Sequence, residues 1–144
     1  MDVKVQNDPD RLFGLMHEII TVQPDWQSTL APRIVLGLWH PRFIASAKER
    51  LPYCRRSYIG RNTYIARKYF WDDCDAFSIA FSGLTTVDGE KYVFPTRLVA
   101  VREIMCSRRF RAECKTSGKS LMVWTVNDPD QMMEVRLVEQ LLTV

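Results

Sequence analysis

The sequence predicts an α/β fold in which a parallel sheet is built from about five βα units. Short apolar segments alternate along the chain with amphipathic ones, and most amphipathic segments begin at a capping residue or a proline. The chain has 144 residues, whereas a closed (β/α)8 barrel needs eight strands and roughly 250 residues. The expected architecture is therefore either part of such a TIM barrel or a smaller open sheet.

The first βα unit is expected to consist of a strand at residues 3–5 and a helix that begins at Pro9. Asn7 and Asp8 supply cap-type side chains, and proline suits the first helical turn. The apolar residues that then follow at helical spacing are Leu12, Phe13, Met16, Ile19 and Ile20. That spacing predicts that these residues face the core.

The second unit begins with a near-continuous apolar run at residues 33–39, typical of a strand that is covered on both faces. Pro41 opens the next helix and Pro52 closes it. The core residues predicted for this helix are Phe43, Ile44, Ala47 and Leu51.

The later units follow the same pattern. A weaker strand at residues 57–59 is followed by a helix capped by Asn62, with Ile65, Ala66, Tyr69 and Phe70 on one side. Further strands are predicted at 75–81 and 121–126, a helix at 109–117 that ends at Gly118, and a last helix that opens at Pro129. Residues 86–108 do not fit this rhythm and are interpreted as an atypical insertion.

Composition excludes several classes of function. The chain is 47% hydrophobic and 26% charged, which is ordinary for a folded domain. The net charge of +3 is spread along the chain rather than gathered in a stripe, so no nucleic-acid partner is predicted. There is neither an apolar run long enough to span a membrane nor a secretory signal pattern. The expected location is intracellular, either cytoplasmic or peripheral to internal membranes.

The four cysteines show no metal-site spacing. Cys54, Cys74, Cys106 and Cys114 form no C-x-x-C pair, and the chain has only two histidines, His17 and His40. A zinc site usually needs paired ligands of this kind. Buried free thiols are the better interpretation.

Several stretches, taken in order, resemble a known family. They are MDVKV at 1–5, IVLGLWHPRFI at 34–44, YIGRN at 58–62, CDAFSIAFSGL at 74–84 and WTVND at 124–128. Together they resemble the glycerophosphodiester phosphodiesterases, in particular fungal members related to phosphatidylglycerol phospholipase C. The resemblance covers most of residues 1–85 and 109–134, so the whole chain is interpreted as a partial domain of this family with a divergent tail at 135–144.

The resemblance implies a TIM barrel of the phospholipase C-like phosphodiesterase type. Its active site, at the carboxyl ends of the strands, would cleave a phosphodiester with a divalent cation, Mg²⁺ or Ca²⁺, and two histidines. A hard cation takes carboxylate oxygens and polarises a phosphoryl group, while histidines transfer protons at neutral pH. The implied substrate is a glycerophospholipid such as phosphatidylglycerol, or a glycerophosphodiester.

Four residues match family site positions. The resemblance implies that Asp2 is an acidic metal ligand and that Lys4, on the same strand, matches the family's lysine and binds substrate. It also implies that Trp124 is an aromatic residue that lines the substrate pocket and that Asn127, at the end of its strand, contacts substrate. Each has a structural alternative: a surface ion pair for Asp2 and Lys4, a core tryptophan for Trp124, and a helix cap for Asn127. His40 matches no catalytic motif and is interpreted as a hydrogen-bonded loop residue.

The family's H-R-G, E-x-D and H-D strands are missing from the sequence. Since these supply both catalytic histidines and most of the metal ligands, no catalytic residue is assigned and this chain is expected to be an inactive portion of a phosphoric diester hydrolase of lipid metabolism. One alternative is a non-catalytic remnant that binds a partner or an anionic membrane through a basic and aromatic surface. Another is a small open α/β binding domain that is unrelated to barrels.

Overall fold

The structure is a computed structural model that describes residues 1–80, 108–127 and 129. Its strands are β1 (Asp2–Val3), β2 (Val35–Leu38), β3 (Arg55–Gly60), β4 (Ala76–Ala80) and β5 (Ser120–Trp124). Its helices are α1 (Pro9–Thr21), α2 (Trp26–Thr29), α3 (Phe43–Arg50), α4 (Thr63–Ile65) with a π-helical continuation (Ala66–Phe70), and α5 over residues 108–116. A short 3-10 helix (Ala31–Arg33) precedes β2.

The strands form one parallel sheet in the order β1-β2-β3-β4-β5, so the α/β class predicted from the sequence is confirmed. The chain divides into two compact units: Met1–Ile59 with Tyr64–Phe77, and Gly60–Thr63 with Ser78–Val144. The predicted insertion at 86–108 and the tail at 135–144 lie, apart from residue 108, outside the described residues.

Two cross-strand rows on β1, β2 and β3 have different characters. One row consists of the cross-strand partners Asp2, Gly37 and Ser57, and the other consists of Val3, Leu38 and Tyr58. Adjacent rows project to opposite faces of a sheet. The second row is buried, and the Tyr58 ring lies 4.6 Å from the Phe70 ring, centroid to centroid. The first row consists of an exposed aspartate, a buried glycine and a buried serine.

The core of the first unit joins α1 to α3. Phe13 and Phe43 are both fully buried and meet edge to face, with ring centroids 6.1 Å apart. All four core residues predicted for α3 are buried. On α1 the prediction for Ile19 is wrong, because this side chain is 65% exposed. The buried stripe of α1 consists of Phe13, Met16 and Ile20.

The first strand is shorter than expected because a local turn ends it. The Lys4 carbonyl accepts hydrogen bonds from the Asn7 backbone N–H at 3.2 Å and from Asn7 Nδ2 at 3.0 Å. Val5 therefore lies in the turn and is half exposed rather than in a strand. Asp8 then caps α1, since its Oδ1 accepts from the Arg11 N–H at 2.8 Å.

The helix after β3 departs from its predicted face. Ala66 and Phe70 are buried as expected, but Tyr69 is 43% exposed. The π-helical turn explains this difference, because i→i+5 bonding widens the turn and changes the angular position of each side chain.

Arg56 closes the base of the connection between β3 and β4. Its backbone carbonyl accepts from the Asp75 N–H at 2.9 Å, and its backbone N–H donates to Asp75 Oδ2 at 3.0 Å. Its Nε donates to the Asp73 carbonyl at 2.7 Å and its Nη1 to the Cys54 carbonyl at 3.2 Å. Residues far apart in sequence are thus held together at the amino ends of the two strands.

In the second unit, α5 ends as predicted at Gly118. This glycine has φ of 64°, and the Lys119 and Gly118 N–H groups donate to the carbonyls of Cys114 and Lys115 at 2.8 and 3.2 Å. Both bonds are those of a Schellman motif, which favours glycine at this position. Phe110 and Cys114 are the buried residues of α5.

Cys54, Cys74 and Cys114 are buried free thiols, as predicted, while Cys106 lies outside the described residues. Among the helices of the described residues, none combines the length and apolarity needed to cross a bilayer.

Candidate functional site

Three side chains meet where β1 and β2 end. Lys4 Nζ lies 2.6 Å from Asp2 Oδ2, and Trp39 Nε1 donates to Asp2 Oδ1 at 2.6 Å. The Lys4 ammonium also lies 5.1 Å from the centroid of the Trp39 ring. We call Asp2, Lys4 and Trp39 the strand-end cluster. Asp2 and Lys4 thus form the exposed ion pair that the sequence analysis gave as their structural alternative.

The sheet register places the cluster. Asp2 is the cross-strand partner of Gly37, and Trp39 follows Gly37 by two residues, so both side chains project from the same face. A Cβ at Gly37 would lie 2.3 Å from Ile59 Cδ1 and 3.1 Å from the Met1 carbonyl oxygen. Glycine at this position lets Ile59 cover the strand beside the cluster.

The cluster holds Asp2 as a carboxylate. Its pKa lies below the ordinary value of 3.8, first because Lys4 hydrogen-bonds to the ionised form. Partial burial opposes this shift, whereas the Trp39 hydrogen bond and the charge of Lys4 add to it. The side chains of Lys4 and Asp2 are 54% and 47% exposed, so the pair is accessible to a ligand from solvent.

Arg42 fixes the loop that carries Lys4. Its Nη2 donates to the Val5 carbonyl and, at 3.0 Å, to the Asn7 carbonyl, and its guanidinium lies 5.0 Å from the centroid of the Phe43 ring. One cation thus links the turn after β1 to the start of α3. Arg42 therefore adds a second positive charge to the segment that follows the cluster.

The residues present do not fit a tightly bound divalent cation. No group of three or more acidic, histidine or cysteine side chains comes together within the described part of the chain. Both oxygens of Asp2 already accept hydrogen bonds, and the Lys4 ammonium would repel a second cation. The assignment of Asp2 as a metal ligand remains a prediction from the family resemblance.

Both histidines of the chain have hydrogen-bond partners. His40 Nδ1 accepts from the Arg42 backbone N–H at 3.2 Å, so this residue is the hydrogen-bonded loop histidine that was expected. His17 Nδ1 lies 3.2 Å from the Tyr53 hydroxyl, on the exposed side of α1.

Trp124 and Asn127 belong to the second unit. Trp124 is the last residue of β5 and is partly buried, while Asn127 is exposed and precedes the helical residue Pro129 by two positions. Their proposed contacts with substrate, and the alternative of a helix cap for Asn127, stay predictions.

Sequence reasoning did not single out Trp39 or Arg42 as site residues. The signal for Trp39 was its position directly after an apolar strand. When Asp2 pairs with Gly37 in a parallel sheet, Trp39, two residues after Gly37, projects from the same face as Asp2. No comparable signal existed for Arg42, because its partners are backbone carbonyls, which any sequence supplies.

The fold and cluster together define a parallel α/β protein with a charged, partly exposed site at its strand ends. No family model, curated protein or solved structure matches this chain.

Proposed function

We propose that this chain is part of a phosphodiesterase-type α/β barrel and that its strand-end cluster binds the phosphate of a phosphodiester without hydrolysing it. The observation that carries the proposal is the position of Asp2, Lys4 and Trp39, side by side at the carboxyl ends of two neighbouring parallel strands. Ligands of parallel α/β folds bind at this end of the strands.

The strand order supports the barrel type. In a (β/α)8 barrel each new strand is added beside the previous one, whereas a doubly wound sheet reverses its order at a switch point. The described strands follow one another as β1-β2-β3-β4-β5 without a reversal. This order favours part of a barrel over a dinucleotide-binding fold.

Lys4 is the group that would meet the phosphate. An ammonium has three N–H donors, and one of them is taken by Asp2. The Asp2 carboxylate and the Trp39 ring hold the Lys4 ammonium in place. Because the side chain is already ordered, less conformational entropy is lost when a phosphate binds. A charge-assisted hydrogen bond to a phosphate oxygen is among the stronger polar contacts.

Binding rather than turnover is proposed because general acid–base catalysis needs groups free to exchange protons beside the phosphate. His40 is engaged with the Arg42 backbone and His17 with Tyr53. The carboxylate of Asp2 is held ionised by two donors.

Binding can be tested by titrating the chain with glycerophosphoglycerol and following the Lys4 and Trp39 resonances by NMR. We expect Lys4→Met to weaken binding by about tenfold, since a hydrogen bond to a charged group contributes roughly 1.5 kcal/mol or more. Lys48→Met is the matched control, because Lys48 makes an equivalent 2.6 Å ion pair with Asp73 and is 55% exposed. Equal losses in the two variants, or no saturable binding by the unmodified chain, would refute the proposal.

Turnover is tested separately. The purified chain is incubated with phosphatidylglycerol vesicles, with and without Mg²⁺ or Ca²⁺, and diacylglycerol is measured. We expect no release above that of Asp2→Ala. Release by the unmodified chain alone would show that the site is catalytic and would replace the binding proposal with the phospholipase C-type activity.

A further inference from the structure

A second cationic cluster lies on the helix that follows β3. Lys68 Nζ is 5.0 Å from the ring centroid of Tyr69 and 5.7 Å from that of Tyr64. Tyr69 and Tyr64 are both exposed to solvent, at 43% and 61%. We call Tyr64, Lys68 and Tyr69 the tyrosine–lysine face.

The face presents hydrogen-bonding groups as well as charge. The pKa of the Lys68 ammonium is raised, first by a hydrogen bond with the Tyr69 side chain and then by electrostatic interactions with both tyrosines. An ammonium and two phenolic groups therefore lie together on one exposed surface, within a helical segment, residues 63–70, that contains no acidic residue.

The buried side of the same segment anchors this surface. Ala66 and Phe70 are fully buried, and Phe70 packs against Tyr58 of β3. The exposed tyrosines thus sit on a helix whose opposite side is held by the core.

We propose that the tyrosine–lysine face is a docking surface for an anionic lipid bilayer. Tyrosine rings are amphipathic and suit the headgroup region, where the ring is partly apolar and the hydroxyl remains wet. A lysine near an anionic membrane gains about 1 kcal/mol of attraction. The positive charge of the face complements the negative surface of such a membrane.

A bilayer fits better than a nucleic acid. Single-stranded nucleic acids bind by stacking bases on open aromatic faces. Here one side of each tyrosine ring is already approached by the Lys68 ammonium. The exposed parts of both tyrosine side chains suit the headgroup region of a bilayer.

The proposal does not depend on phosphodiester binding at the strand-end cluster. Lys4→Met is expected to weaken binding of the soluble phosphodiester and to keep membrane binding, and Lys68→Gln is expected to show the reverse. If the unmodified chain binds no phosphodiester, the membrane measurement still decides the present proposal.

The test is vesicle flotation with the full chain. We expect binding to vesicles of phosphatidylcholine with about 30% phosphatidylserine, but not to phosphatidylcholine alone, and release at about 0.5 M salt because charge attraction is screened. Lys68→Gln should lower the partition coefficient about fivefold. The double variant Tyr64→Ser/Tyr69→Ser, which keeps the charge, should lower it as well.

Arg33→Gln is the matched control, since it removes one charge from an exposed residue of the 3-10 helix before β2. We expect it to change the partition coefficient by less than about twofold. Equal losses of vesicle binding for Arg33→Gln and Lys68→Gln would show that only the net charge of the chain matters, which would overturn the proposal. Loss of oligonucleotide binding in Lys68→Gln with unchanged flotation would overturn it in favour of a nucleic-acid site. Circular dichroism of each variant establishes that the fold is retained.

Discussion

Ile59 occupies the space that a side chain at Gly37 would need, with its Cδ1 only 2.3 Å from the position of a Cβ there. Gly37→Ala should therefore force Ile59 out of its rotamer and destabilise the protein by about 1–3 kcal/mol, as overpacking usually does. Chemical denaturation measures the change in the free energy of unfolding.

The double variant Gly37→Ala/Ile59→Val isolates this contact. Valine lacks the Cδ1 atom, so the second substitution should recover part of the stability lost in the first, by about 0.5–1 kcal/mol of coupling energy. Simple additivity of the two single variants would contradict the proposed clash.

A pH titration of the Asp2 carboxyl should show which neighbour lowers its pKa more. Lys4 lowers the pKa of Asp2 through both a hydrogen bond and its charge, whereas Trp39 contributes a hydrogen bond. NMR titration of the Asp2 carboxyl should give a pKa that rises from the unmodified chain to Trp39→Phe and rises further in Lys4→Met. A larger rise in Trp39→Phe than in Lys4→Met would contradict this order.

The same shift determines how stability depends on pH. Because the pKa of Asp2 is lower in the folded chain than its ordinary value of 3.8, the stabilisation by the cluster is present above that value and is lost as the pH falls through the folded pKa. The stability difference between the unmodified chain and Asp2→Asn should therefore shrink in this acidic range. A difference that persists unchanged there would show that the charge of Asp2 is not its source.

Arg42 should control the mobility of the turn after β1. Arg42→Met removes the hydrogen bonds to the Val5 and Asn7 carbonyls, and we expect the amides of residues 5–8 to exchange with solvent faster by about fivefold, from a loss of roughly 1 kcal/mol of local stability. Arg33→Met serves as the control, since Arg33 lies outside this turn. An equal effect in both variants would exclude a local role for Arg42.

Two glycine substitutions should have opposite effects. Gly118 has φ of 64° at the end of α5, so Gly118→Ala should cost about 1 kcal/mol of stability. Gly14 lies inside α1, and a Cβ there would meet nothing within 4 Å, so Gly14→Ala should stabilise the protein by about 0.5–1 kcal/mol. Thermal unfolding of both variants measures the contrast, and a shift of equal sign would contradict it.

The apolar runs of the sequence predicted the α/β class and the approximate positions of the described strands, because buried parallel strands need such runs. Errors arose where local polar contacts or unusual helical geometry decided the outcome. The Asn7 bonds to the Lys4 carbonyl end β1 early, and the π-helical turn moves Tyr69 outward.

The candidate site was only partly predictable. The ion pair between Asp2 and Lys4 was one of the two interpretations of these residues in the sequence. The contact of Trp39 with Asp2 depends on the register between β1 and β2, which no local pattern specifies. Arg42 donates to backbone carbonyls, which every residue has, so the types of its partner residues do not indicate this contact.

The hydrogen bonds that Arg56 makes with Asp73 and Asp75 hold the two ends of the β3–β4 crossover together. The bonds between Arg56 and Asp75 hold the start of β4 beside the start of β3. A foreign helix of similar length that keeps apolar residues in place of the buried Ala66 and Phe70 should therefore leave the strand alignment intact, which makes the solvent-exposed side of this helix a practical position for sequence exchange.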